Sequence, residues 1–237
     1  MAIAVDATST GGQTTTATTL TWSHTCTGDD LILWVGVSEE GADDVSTVTY
    51  NGVGLTELTQ SGTVVGAGFS QMWYLVGPDT GANNIVITRA GTTGRLTGDA
   101  VSYTGASQTG VPDSQAATTA SSASTFNIST TVVASNCWIV GYSDNSTGGQ
   151  SAGTGTVIRR QGSDSSTLID SDGVVATGSV ALQLTSAGSN WTGAVASFKP
   201  VVSGPENLKS LNTNAKANIK SHNTNVIANI KSINTNS

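Results

Sequence analysis

Asp30-Leu31-Ile32-Leu33-Trp34-Val35-Gly36-Val37-Ser38 is the stretch on which the fold turns. A strand with one wet face alternates apolar and polar residues with a period of two. This one is apolar at both parities. It reads as a central strand, with both faces covered or one edge tucked under a loop.

The same rhythm runs outward on both sides. Short β-branched and aromatic bursts are separated by Gly, Thr, Ser, Asn and Asp, the pattern of an all-β protein. Strands are expected at Ile3–Thr8, Thr14–Cys26, Asp30–Ser38, Ser46–Tyr50, Thr56–Gln60, Ala67–Val76, Asn84–Arg89, Thr97–Thr104, Thr125–Thr130, Cys137–Ser143, Thr156–Gln161, Ser166–Asp170, Ser179–Thr185 and Trp191–Lys199. Asn51-Gly52 is the strongest hairpin signal, because both residues tolerate positive φ. Gly77-Pro78-Asp79-Thr80-Gly81 reads as a Pro-initiated turn. Gly105–Ser124 and Asn145–Gly155 are polar and unpatterned and read as loops. So many short antiparallel strands fit two packed sheets better than one open sheet. The expected fold is an antiparallel two-sheet β-sandwich of jelly-roll type over residues 1–200, favoured over two small domains.

Residues 201–206 form a short linker. From Asn207 the chain repeats itself: NLKSLNTNAKA, NIKSHNTNVIA, NIKSINTNS. The apolar positions Leu208, Leu211, Ala215, Ile219, Val226, Ile230 and Ile233, with His222 among them, are spaced three or four apart. That is the hendecad pattern of a nearly straight helix. Asn-Thr-Asn in every copy instead favours a strand and a turn. In either conformation an eleven-residue unit cannot bury its apolar side alone. Leu208, Leu211, Ile219, Val226, Ile230 and Ile233 are therefore the expected assembly interface, for docking or oligomerisation.

Charge divides between the two parts. Fifteen acidic side chains meet five basic ones up to Pro200, while four Lys and one Glu follow. An acidic body argues against a nucleic-acid groove. No apolar run approaches the length of a membrane span, and the N-terminus lacks the pattern of a secretory signal. Cys26 and Cys137 make neither a disulfide framework nor a metal cluster, and two unrelated buried thiols are the plainer account.

The common enzyme motifs are missing: G-x-S-x-G, H-E-x-x-H, and the phosphate-binding glycine loops. His24 is the body's only histidine and lies among polar neighbours. No catalytic residue is assigned. The acidic cluster Glu39, Glu40, Asp43 and Asp44 reads as a solvated loop, with Ca²⁺ as the one conceivable cofactor. Trp73 and Tyr74 are adjacent on one strand, so they point to opposite faces. With Trp138 they are the candidates for stacking on a sugar ring.

TWSHT, DLILWVGVS, VTYNGVGLTEL, MWYLVGPDTGANNIVIT, AVSYTGASQTGVPD and AVASFKP, spread over residues 14–199, resemble a β-sandwich module of bacteriophage structural proteins and environmental bacterial surface proteins. Such modules are compared with concanavalin-like lectins, and the C-terminal KSxNTN-type repeats resemble those at the C-termini of phage-like and environmental open reading frames. The resemblance implies a non-enzymatic structural protein of a virion or extracellular filament. The body would be displayed outward, and the repeats would join it to itself or to other structural proteins of the assembly. The alternative is a carbohydrate-binding adhesion module that meets cell-surface glycans.

Overall fold

The structure is a computed structural model that describes residues 1–41, 43–92, 94–162 and 165–202. The expected assembly residues Leu208 to Ile233 lie outside the described residues. Residues 1–202 form one compact unit.

Its strands are, in chain order, β1 (Ala4–Thr14), β2 (Thr19–Cys26), β3 (Ile32–Glu39), β4 (Val45–Tyr50), β5 (Val53–Gly54), β6 (Thr56–Glu57), β7 (Phe69–Val76), β8 (Gly81–Arg89), β9 (Leu96–Thr104), β10 (Ser114–Val132), β11 (Trp138–Asn145), β12 (Ser151–Ala152), β13 (Val157–Gln161), β14 (Ser166–Asp170) and β15 (Gly178–Phe198). They make three antiparallel sheets. The first has the order β1-β9-β3-β7-β6 and the second β2-β8-β4-β5. The third is β10-β15-β11-β14-β13, with β12 added on β15.

The all-β class is as expected. The two-sheet jelly-roll β-sandwich is not: there are three sheets, of five, four and six strands. The physical reason lies in β3. Leu33, Val35 and Val37 point into a core shared with Leu20, Trp22, Ile85 and Ile87 of the second sheet. Ile32 and Trp34 point the other way, into a core shared with Val140, Ala196 and Phe198 of the third. All eight β3 residues are buried. Each fully buried large aliphatic side chain contributes about 1.5–3 kcal/mol, so the first sheet is held on both faces.

A third core, with Phe126, Ile128, Ile139, Ile169, Leu182, Leu184 and Trp191, lies on the far side of the third sheet. It exists because β10 and β15 are long enough to serve two layers. Gly193 of β15 pairs with Thr118 of β10. A Cβ placed on Gly193 would nevertheless come within 2.6 Å of Ile128, which lies further along that same strand. The strand must therefore fold back, and it does so at the register break between Ala120 and Thr125.

With the two segments of β10 and of β15 counted separately, residues 1–106 and 107–202 have one topology. β1 and β2 correspond to residues 114–120 and 125–132, and β8 and β9 to 178–185 and 191–198. β3, β7, β6 and β4 correspond to β11, β14, β13 and β12. The order β1-β9-β3-β7-β6 thus becomes β10-β15-β11-β14-β13, term for term. The ladders fix the residue equivalences: Ile32 faces Tyr103 as Trp138 faces Phe198. Asp30 (φ 51°) and Asn136 (φ 61°) stand in the same left-handed turn position. The sequence carries faint traces of this. TLTWSHTC at β2 aligns with TFNISTTV in β10. Thr97-Gly98 with Ser102-Tyr103 aligns with Thr192-Gly193 and Ser197-Phe198.

Gly98 shows why those traces persist. A Cβ there would lie 2.6 Å from Ile87 and 2.8 Å from Trp22. At the counterpart Gly193 the clashes are with Ile128 and Phe126, at 2.6 and 2.9 Å. In each half the small layer is drawn onto the large one at a residue with no side chain. The two large layers pack face to face. Counterparts touch across that contact, as in a two-fold dimer: Tyr103 meets Phe198 with ring centroids 4.9 Å apart, and Ser38 donates to Asp144.

Candidate functional site

Among the described residues, three polar constellations and a cleft bear on where chemistry could reside. The first surrounds His24, 1% exposed. Its Nδ1 lies 2.7 Å from Ser9 Oγ, and its Nε2 lies 3.0 Å from Ser102 Oγ. Ser102 donates to Asp6 Oδ2 at 2.7 Å, and Trp22 Nε1–H donates to Ser9 Oγ at 2.9 Å. A carboxylate only accepts and an indole only donates, so the direction of the chain is fixed. Trp22 donates to Ser9, Ser9 to Nδ1, Nε2–H to Ser102, and Ser102 to Asp6. Burial pushes the imidazole down to about 4, against the attraction of Asp6, and the ring is neutral near pH 7.

A Ser–His contact of this length is the geometry of a nucleophile and its base. The second half gives it a different meaning. There Ser197 donates to Asp113 at 3.0 Å, Ser114 and Ser197 are 2.7 Å apart, and Thr130 donates to Ser114 at 2.8 Å. Thr130 is the counterpart of His24. In both halves the carboxylate also accepts from backbone just past the neighbouring strand: Asp6 from Thr27 N–H at 2.9 Å, Asp113 from Val133 and Ala134 N–H at 2.8 and 2.9 Å. Burial works to raise the Asp113 carboxyl. These amides and Ser197 outweigh it and hold it below its ordinary range. The arrangement is a brace between strands, and it survives exchange of the imidazole for a hydroxyl.

The second constellation lies between the large layers. Arg95 Nη2 donates to Asp144 Oδ2 at 2.6 Å, and Ser70 Oγ lies 2.8 Å from Thr192 Oγ1. Tyr142 Oη is 3.2 Å from Thr97 Oγ1 and donates to Asp99 at 3.3 Å. Burial raises the Asp144 carboxyl to about 6, the Arg95 charge and Ser38 opposing it. The third is an ion pair: Arg89 Nη1 to Glu39 Oε1, 2.9 Å, with both side chains fully buried. Burial raises the Glu39 carboxyl, although Arg89 and the Asp44 amide hold it down.

That ion pair bears on the proposed calcium residues. Glu39 faces Arg89, and Glu40 is exposed. Asp43 accepts from Gln71 Nε2 at 2.9 Å, and the Asp44 amide donates to Glu39 at 3.1 Å. The structure does not converge these four carboxylates. Among the described residues no group of three or more His, Cys, Asp or Glu side chains is placed to hold a metal ion.

The stacking residues are engaged within the fold, Trp73 and Trp138 buried and Tyr74 half-buried. Trp73 is 6% exposed and donates from Nε1 to Gln71 at 3.0 Å. Tyr74 takes the opposite face, its ring 5.4 Å from Trp34 and its hydroxyl on the Val111 carbonyl at 3.0 Å. Trp138 is 9% exposed and sets its edge on Tyr103, centroids 5.9 Å apart. Cys26 and Cys137 are free, buried thiols, one in each outer core.

Trp138 also reaches the cleft, about 290 Å³, which it lines with Met1, Ala2, Ile3, Asn136, Val174 and Pro200. None of these described lining residues has an ionisable side chain. The equivalent place in the first half is closed by the chain that joins the halves. There the Ala106 amide donates to the Asp30 carbonyl at 2.9 Å, Gln108 Nε2 donates to the Leu31 carbonyl at 3.1 Å, and Val111 packs on the shared core.

Comparison with family profiles, with curated proteins and with solved structures returns no match. No described helix is long and apolar enough to cross a membrane.

Proposed function

We propose that this chain is a non-enzymatic structural protein of a virion or extracellular filament, its duplicated body displayed outward and its C-terminal repeats mediating assembly. The observation that carries the reading is the paired brace. The only Ser–His–Ser–Asp chain among the described residues has a histidine-free twin doing the same mechanical work. Other buried side chains also bridge strands: Tyr103 donates to Asp170 at 2.7 Å, and Ser143 donates to the Thr192 carbonyl at 3.0 Å. Three repeat copies with an apolar side supply the means of joining.

The test compares the intact chain with one ending at Glu206, by mass in solution and by thermal melting. The intact chain is expected to associate, and the shortened one to be monomeric with an unchanged melting temperature. Equal, monomeric masses for both would remove self-assembly through the repeats. Micromolar binding on a glycan array by the shortened chain would overturn the reading in favour of adhesion.

A further inference from the structure

The contact between the large layers is built from counterparts, yet it is not self-complementary. Gly36 and Tyr142 hold the same position in the two halves, as their ladders show: Gly36 faces Asp99, and Tyr142 faces Ala194. They also touch. A Cβ on Gly36 would lie 2.1 Å from Tyr142 Cδ2 and 2.3 Å from Cγ, so the ring lies flat on a bare backbone. Gly36 is not among the residues with positive φ. Its lack of a side chain therefore answers to the ring and not to backbone strain.

We infer that Gly36 and Tyr142 are the pairing determinants by which a first half accepts a second half, of its own chain or of another copy, and rejects its own kind. Two second halves brought together in this geometry would set Tyr142 against Tyr142 and Asp144 against Asp144, a steric overlap beside two buried carboxylates. Two first halves would set Gly36 against Gly36 and leave a ring-sized void. Only the mixed pair fills the space and places Ser38 and Arg95 on Asp144. Each half also has an outer core of its own, and the halves are joined by the short stretch 105–113. The selective surface is thus available to a second copy of the chain whenever the halves of one copy fail to close on each other. This holds whether or not the C-terminal repeats drive assembly.

The experiment uses two full-length variants, Gly36→Tyr and Tyr142→Gly. Each alone is expected to melt roughly 10 °C or more below the parent, the first from overlap and the second from the void. Refolded together from urea at equal concentration, they can exchange halves. Tyr at 36 then meets Gly at 142, and Gly at 36 meets Tyr at 142. The expected result is a 1:1 complex of twice the monomer mass that regains at least half of the lost melting temperature. A mixture that behaves as the sum of its parts overturns intermolecular pairing. The double variant in one chain provides the second check. It should melt well above Gly36→Tyr alone, with rescue incomplete because Asp99 has Ala194 as its counterpart. No rescue in the double variant overturns the assignment of the determinants. Gly36→Ala, with a milder overlap, replaces Gly36→Tyr if that chain does not refold.

Discussion

The first half of the body closes each layer with a separate strand, whereas the second half runs one strand through both. β8 ends at Arg89 and β9 begins at Leu96. Their counterparts are consecutive stretches of the unbroken β15, and β1 with β2 becomes β10 in the same way. Topology, ladders and the two close-packed glycines are nevertheless preserved. The difference teaches that this architecture is specified by where layers touch, and that the connections between strands are free to change. A second contrast follows from it. The joining stretch seals the end of the first half, and the matching place in the second half is an open apolar cleft.

The largest effect is expected where the halves share one core. Phe198 is fully buried and lies against Trp34 and Tyr103, with centroids 5.6 and 4.9 Å away. Phe198→Ala should cost about 3–5 kcal/mol, read from urea denaturation. Tryptophan fluorescence and far-UV circular dichroism should then fall in one coincident transition. Two separated transitions would break the equivalence, because they would mean that each half stands without the other.

Next comes the pH dependence, where the halves oppose each other. The Asp144 carboxyl is raised from 3.8 to about 6 in the folded state. The folded state therefore holds the proton more tightly, and this contribution is complete below about pH 4 and lost as pH rises towards 6. A shift of this size corresponds to roughly 3 kcal/mol. His24 is lowered from 6.5 to about 4. Its contribution is complete above pH 6.5 and lost as pH falls towards 4. In the parent these two slopes oppose each other between pH 4 and 6, and the raised Glu39 carboxyl adds to the Asp144 slope. Relative to the parent, Asp144→Asn should tilt the profile towards weakening on acidification through that window, and His24→Thr towards strengthening. Denaturation midpoints at half-unit pH intervals decide, and identical profiles for both variants would refute the assignment.

The smallest effect sharpens the comparison most directly. Gly98→Ala and Gly193→Ala should each cost about 1–3 kcal/mol, equal to each other within error. They should add in the double variant, because they act in different outer cores. A silent change at one position and a costly one at the other would show that only one half uses the glycine to seat its small layer.

β3 was legible from its residues because burial on both faces removes the alternation, and the central strand is where that pattern placed it. The number of sheets was not legible. Apolar content at both parities says that both faces are covered, without saying whether a sheet or a loop covers them. Ser114–Ala123 looked like a loop for want of large side chains, yet Ala116, Ala117, Thr118 and Ala120 are half-buried in β10. Their strand is held by its ladder to β15, which composition cannot reveal. The duplication escaped for a related reason. Its shared residues are small ones, Gly98 with Gly193 and Ser102 with Ser197, while the large residues have drifted: Trp22 stands where the other half has Ile128, and His24 where it has Thr130. Trp73 and Trp138 could not be told from exposed stacking residues, since strand alternation fixes a face and not what covers it.

The unbroken β15 has a mechanical consequence. Twenty-one residues of strand amount to about 70 Å of chain, bonded to a neighbour in one layer and then in the next. In the second half the two layers are joined by the β10–β15 ribbon, whose strands stay paired on both sides of the bend at the register break. Separating those layers has to straighten two hydrogen-bonded strands together, whereas in the first half β8 and β9 are separate strands of separate sheets.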